Sequence, residues 1–282
     1  MFNKVQNFSY HNHTNFSDGK NSLEEMVAQA KKIGFCERGI SDHLIVHKNI
    51  EQSPSWPMMA AKTDCHIYQK DFKSHLSEYQ KHCEDIRNIS QKENIKLYIG
   101  FEVDFFTYDG WLDEFKEFLA QLDYDYLVSG NHFLFDERGE KIFNIHKNIA
   151  DFMSTEEVRK LVAQHFVNIA KSVESGLFAF LAHCDYVRKM GAQYCDAQDY
   201  EKEKNAVLDA LQKNDVAMEI STKGLRKIND FYPCAEILAA AAQRNIRMVI
   251  SDDAHGVNEL GADFAKAEAE LAKYGITRRL KF

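Results

Sequence analysis

A chain of 282 residues, 45% hydrophobic and 28% charged, is long enough to bury one large core and has the composition of an ordinary globular protein, so one domain over residues 1–282 is expected. Its net charge of −8 and pI near 5.8 argue against a nucleic-acid partner. No run approaches the roughly eighteen apolar residues of a membrane span, and the polar segment 1–10 does not read as a signal peptide, which excludes a membrane partner and makes the cytoplasm the expected location.

In chain order, the first apolar run, 8–11, reads as a strand. Ser22 with Glu25 forms a capping-box pattern that opens a helix over 23–32, closed by Gly34. A second strand is expected at 38–41. The stretch 44–71, with Pro54, Trp56, Pro57, Met58 and Met59, reads as a long loop rather than a helix. Strands follow at 97–103 and 126–129, and 133–152 is a second long connection with a turn expected over 136–139. Both connections suit lids over a site or exposed insertions. Ser154 with Glu157 opens a helix that runs to about Glu174 and ends at Gly176. Strands at 178–181, 216–220 and 247–251 alternate with helices over 234–244, where Pro233 suits the first turn, and over 261–273. Seven strands separated by helical segments imply parallel pairing through right-handed crossovers, hence an α/β barrel.

The polar residues follow this frame. His11 and His13 lie two apart on an extended segment and project to one side, where they can grip one ion, with Asp18 just behind. The later strands end in Asp42-His43, Glu102, Asn131-His132, His183, Glu219 with Ser221, and Asp252-Asp253-Ala254-His255. In a parallel barrel these C-terminal ends meet at one rim. Of the 12 histidines, His47, His66, His75, His82, His146 and His165 fall in expected loops or helices, and the other half sit at strand ends, far more than chance placement would give. Nitrogen and oxygen donors without sulfur suit zinc, iron or manganese better than magnesium or calcium. His11, His13, Asp18, His43, Glu102, His132, His183, Asp253 and His255 are too many for one ion, so two or three divalent cations are expected. The six cysteines have no C-x-x-C spacing and read as reduced thiols, with Cys184 turned away from a ligand at His183.

Taken together, His11-x-His13 with Asp18-Gly19, Ser41-Asp42-His43, Glu102, His132, His183 and Ser251-Asp252-Asp253-Ala254-His255 resemble the PHP (polymerase and histidinol phosphatase) superfamily over essentially the whole chain. The resemblance implies a distorted seven-stranded (β/α)7 barrel with a trinuclear metal centre. It places one ion on His11, His13, Glu102 and Asp253, a second on Glu102, His132 and His183, and a third on Asp18, His43 and His255.

Two stretches resemble the histidinol-phosphatase branch. In 219–227, followed by Tyr232-Pro233, the resemblance implies that Arg226 contacts substrate phosphate, and a guanidinium does match phosphate through paired hydrogen bonds. In 183–189 it implies a second basic residue, Arg188 or its neighbour Lys189. The segments after His43 and His132 depart from the branch pattern.

The activity implied is hydrolysis of L-histidinol phosphate, with Asp253 or a bound water as proton donor to the leaving oxygen. A small phosphate ester is the expected partner. A nucleotide phosphodiesterase or exonuclease would keep the metals and add a basic groove with aromatic platforms. A non-catalytic metal-binding domain would be expected to have lost ligands.

Overall fold

The seven expected runs form the seven strands of one parallel sheet curled into a nearly closed α/β barrel. The structure, a computed structural model, describes residues 6–60, 67–136, 138, 141–196 and 198–282. In chain order the strands are β1 (Phe8–Ser9), β2 (Glu37–Ile40), β3 (His43–Val46), β4 (Tyr68–Gln69), β5 (Lys96–Val103), β6 (Tyr126–Ser129), β7 (Phe133–Phe135), β8 (Ile142–Asn144), β9 (Phe180–Leu181), β10 (Ala217–Ser221) and β11 (Met248–Ser251). The barrel path is β1-β2-β5-β6-β9-β10-β11, parallel at every step. Between β11 and β1 the ladder shrinks to an isolated parallel bridge, Asn12 with Ala254, supported by His13 N–H donating to Ala254 O at 2.9 Å. That seam is the distortion of the barrel.

Side chains fill the interior, as small barrels require. Tyr10, Tyr126, Val128, Phe180, Ala217 and Val249 are buried there. Room for the Tyr126 ring, on β6, comes from glycines on the two strands that precede it along the barrel, β5 and β2. A Cβ on Gly39 would fall 2.0 Å from Tyr126 Oη, and one on Gly100 would fall 2.2 Å from its Cζ. The phenol donates to Tyr10 O at 2.7 Å, which satisfies its buried hydroxyl.

Outside the barrel, both capping boxes form as the sequence implies, opening helices Leu23–Lys32 and Thr155–Glu174. Gly34 and Gly176 follow with positive φ, which glycine adopts freely. Other expectations need correction. The helix expected over 234–244 is Ala235–Gln243, with Pro233 outside it, because Cys234 stays extended while its N–H donates to Asp185 Oδ2 at 2.8 Å. The last helix is Phe264–Lys273 and does not begin at Gly261, because Gly261 and Asp263 are both left-handed.

The two long connections also carry more structure than expected. The segment 44–71 includes β3, whose His43 and Leu44 pair with Glu102 and Val103 of β5, and β4, which pairs with β3. It also holds helix Trp56–Ala60, where Pro57 lies in the first turn and its missing N–H removes no helical bond. Within 133–152, β7 and β8 form an antiparallel hairpin. The turn expected over 136–139 includes Glu137 and Gly139, and these, with Cys65 and His66, lie outside the described residues. No described helix is long and apolar enough to cross a membrane.

His165, on helix Thr155–Glu174, is 2% exposed, and its Nδ1 faces Phe133 O at 3.2 Å. Burial pushes its pKa down to about 4, although the contact with Phe133 O opposes the shift. An unfolded histidine titrates near 6.5, so between the two values the unfolded chain binds a proton that the folded chain refuses. Stability contributed here is full above about pH 6.5 and falls by about 1.4 kcal/mol per unit down to about pH 4, about 3 kcal/mol in all. Urea unfolding across this window should therefore be less acid-sensitive in His165→Gln than in the parent. Parallel stability curves for the two proteins would contradict this account.

Candidate metal centre

β5 is the longest strand of the barrel, and it delivers Glu102 to the middle of the C-terminal rim. Glu102 Oε2 lies 3.2 Å from His11 Nε2, from His13 Nε2 and from His43 Nδ1. Its Oε1 lies 2.9 Å from His183 Nε2 and 3.3 Å from His132 Nε2. One carboxylate therefore faces five imidazoles drawn from four separate strand ends.

Asp253 enters from the end of β11, and its φ of +45° is a left-handed conformation that few side chains adopt and that often marks a functional position. Its Oδ1 is 3.2 Å from His13 Nε2, 3.7 Å from His11 Nε2 and 3.5 Å from His255 Nδ1. Asp18, on the loop after His13, points Oδ1 to His255 Nε2 at 3.1 Å and His43 Nε2 at 3.5 Å. All nine sequence-selected donors thus meet in one place. They resolve into four overlapping groups: His13/Asp18/His43/His255, His11/His13/Asp253, His11/Glu102/His183 and His43/Glu102/His132.

Neighbouring carboxylates fix the rings. His11 Nδ1 meets Glu219 Oε1 at 2.6 Å and His132 Nδ1 meets Asp104 Oδ2 at 2.9 Å, leaving each Nε2 to face the centre. Such partners orient metal-binding histidines and raise their basicity. Glu219 also accepts from His183 N and from Ser251 Oγ. Asp42 accepts from Thr14 N and Oγ1 and from Ser17 Oγ, and so holds the loop that carries Asp18.

The donor set fits cations. His11 Nε2, His13 Nε2, His43 Nδ1, Glu102 Oε2 and Asp253 Oδ1 are buried and converge without forming hydrogen bonds of good geometry. Asp18, Glu102 and Asp253 bring three carboxylates into a site where burial penalises negative charge. Burial opposes a charge on His13 and His132, yet Asp253 and Glu102 hold His13 up at about 9, and Glu102 and Asp104 hold His132 up at about 10. Multivalent cations answer the same negative field more fully than protons do.

Above the donors lies an open cavity of about 190 Å³. Met58, Met59 and Tyr68 line it from the connection after β3, Asn144 and His146 from the hairpin, and Tyr186 and Lys189 from the segment after β9. Lys223, just past β10, completes the wall, with Nζ 2.9 Å from Asp253 Oδ2.

Arg226 and Arg188 are absent from this lining. Arg226 Nη2 donates to Asp252 O at 2.6 Å, and Arg188 is engaged by Asp185 Oδ2, Asp230 Oδ2 and Phe231 O. Sequence reading passed over Lys223 although it follows a strand end, the same signal that marked the metal donors. Asp104, two residues beyond Glu102, carried that signal too.

Residues 9–223 match the profile of the PHP domain family. The chain belongs to the PHP family. A Deinococcus radiodurans protein named "Probable histidinol-phosphatase" is 25% identical to this PHP protein over 211 residues, 74% of this chain and 77% of its own length. Two solved PHP-like structures share the fold. A protein proposed as the histidinol phosphatase HisK of Listeria monocytogenes superposes with a TM-score of 0.71 at 21% identity, covering 92% of this chain and 99% of its own. Histidinol phosphate phosphatase from Lactococcus lactis, solved with zinc, L-histidinol and phosphate, gives 0.70 at 18% identity, covering 98% of this chain and 96% of its own.

Proposed function

We propose that this chain is a metal-dependent phosphomonoesterase that hydrolyses L-histidinol phosphate to L-histidinol and phosphate, acting as one domain in the cytoplasm. The observation that carries the reading is Glu102, with its two oxygens among five imidazoles beneath an open cavity. The choice of alcohol is supported by the name of the Deinococcus relative and by the ligands of the Lactococcus neighbour. Five described cysteines are free thiols, in keeping with a reducing compartment.

Zinc, manganese or iron ions held by the nine donors would supply Lewis acidity toward phosphate oxygens and an acidified water. The chain's own contribution is position. Glu102 would hold metal together with His11, His13, His43, His132 and His183, while Glu219 and Asp104 keep the His11 and His132 rings in register. Asp253 lies between the His11/His13 pair and Lys223, where it would hold metal with those histidines and stand close enough to orient the reacting water or the leaving oxygen. Met58, Met59 and Tyr68 would exclude bulk water from one side of the cavity.

The test pairs elemental metal analysis with a phosphatase screen. Chelation should abolish phosphate release, and zinc or manganese should restore it. Histidinol phosphate should be preferred over sugar and nucleotide monoesters by on the order of 100-fold in kcat/KM, because a site with fixed polar partners rejects substrates that leave them unpaired. Full activity after metal removal, or an equal rate on nucleotide esters, would sink the reading.

A further inference from the structure

Asp18 is the most exposed of the nine donors, at 32% of its side chain against 16% for His255 and 1% for Glu102 and Asp253. It stands on the loop after His13 and not at the end of a barrel strand, so its aim depends on what holds that loop. Within the loop, Ser17 N–H and Gly19 N–H both donate to Thr14 O, at 3.1 Å and 2.9 Å. From outside, helix Leu76–Glu93 sets Tyr79 and His82 against it, three positions apart and therefore on one face.

His82 is one of the histidines that sequence reading assigned to loops and helices, yet it is buried at 6% exposure. Its Nε2 meets Asp42 Oδ2 at 3.0 Å, and the same carboxylate accepts from Thr14 N, Thr14 Oγ1 and Ser17 Oγ. Its ring lies flat on Phe16, with centroids 3.9 Å apart and planes 2° from parallel. Phe16 also packs edge-on with Tyr79 at 5.1 Å, and Tyr79 Oη donates to His43 O at 2.8 Å. Asp42 adjoins the donor His43, and Phe16 lies two residues before the donor Asp18. One imidazole thus touches a neighbour of each member of the pair His43 Nε2 and Asp18 Oδ1, which stand 3.5 Å apart.

We propose that His82 is a positioning residue for the metal centre, fixing the loop 14–18 so that Asp18 completes the group His13/Asp18/His43/His255, and that it has no hold on the group His11/Glu102/His183. This role rests on the nine donors holding metal and is independent of which ester is cleaved. A ring that stacks on the loop and also bonds the carboxylate clamping it resists displacement in two directions. Residues that orient ligands in this way are typically worth about 10- to 100-fold in metal affinity.

The experiment follows zinc binding to the full chain step by step, by chelator competition and elemental analysis. His82→Leu, which keeps the bulk, should weaken one step about 10- to 100-fold and leave the others within about threefold of the parent. Phe16→Leu removes the stack from the other side and should weaken the same step. So should Asp18→Ala, and the double variant with His82→Leu should be no weaker there than Asp18→Ala alone, since both changes remove one donor's contribution. His82→Gln, whose amide nitrogen can take the place of Nε2, should recover the step to within about threefold of the parent. Hydrogen exchange of the metal-free protein reads the loop directly: the Ser17 and Gly19 amides should exchange at least about 10-fold faster in His82→Leu, with those of helix Leu76–Glu93 unchanged. Equal weakening of every step, losses that add in the double variant, failed rescue by His82→Gln, or unchanged exchange at Ser17 and Gly19 would each overturn the proposal. A parent chain that binds no zinc would instead sink the metal reading, and the exchange rates would still decide whether His82 holds the loop.

Discussion

Glu102→Ala is expected to lose bound metal and activity together, with kcat/KM falling by at least about 10³-fold, because ligands that share ions act as one unit and their effects do not divide among residues. Among the described residues, Glu102 is the one carboxylate within 3.3 Å of five of the six centre histidines. Alanine there would leave His11, His132 and His183 aimed at a gap, each still oriented by its own surroundings. Two of the four donor groups contain Glu102 and would be broken at once, while His13/Asp18/His43/His255 and His11/His13/Asp253 would keep their members. Elemental analysis should therefore show partial metal retention in a protein that is folded by circular dichroism. A variant with the parent's full metal content and more than a tenth of its activity would refute the bridging role.

Asp42→Ala should produce the largest loss of stability. The carboxylate is fully buried and is met by Thr14 N at 2.7 Å, Thr14 Oγ1 at 2.8 Å, Ser17 Oγ at 2.5 Å and His82 Nε2 at 3.0 Å. Burial works against its ionisation, yet His82 and Ser17 hold its pKa well below the usual carboxylate range. Alanine would leave four buried polar groups unsatisfied, for which about 3–5 kcal/mol is the expected cost. The loop from Thr14 to Ser17 would also lose its tether, and with it the placement of Asp18. Denaturant titration should show the lower midpoint, and metal analysis a loss at the Asp18 end of the site. An unfolding midpoint close to that of the parent would show that the loop is held by something else.

The barrel and its donors were legible in the sequence because the signals were local and repeated: a short apolar run, then a His, Asp or Glu, seven times over. Where the signal was not local, reading failed. β3 is four residues long and follows β2 after only Ser41 and Asp42, so it reads as the start of a loop, although the two strands dock one after the other along the same edge of β5. Helix Trp56–Ala60 was hidden by Pro57, a breaker in mid-helix and harmless in a first turn. The placements of Lys223 and Arg226 depend on a packing decision between residues three apart on one short helix, Lys223–Ile228. Both are basic, both follow β10, and only three-dimensional placement separates the one beside Asp253 from the one capped by Asp252 O.

The bridge between Asn12 and Ala254 bears on how the molecule comes into being. It sits between His11 and His13 on one side and Asp253 and His255 on the other, donors separated by some 240 positions of chain. Metal held by His11, His13 and Asp253, or by His13 and His255 with Asp18 and His43, would tie the first strand to the last across the weakest joint of the wall. A nascent chain emerging from the ribosome carries the first pair long before the second exists, so the two donor groups that span the seam are completed only when the last strand has been made.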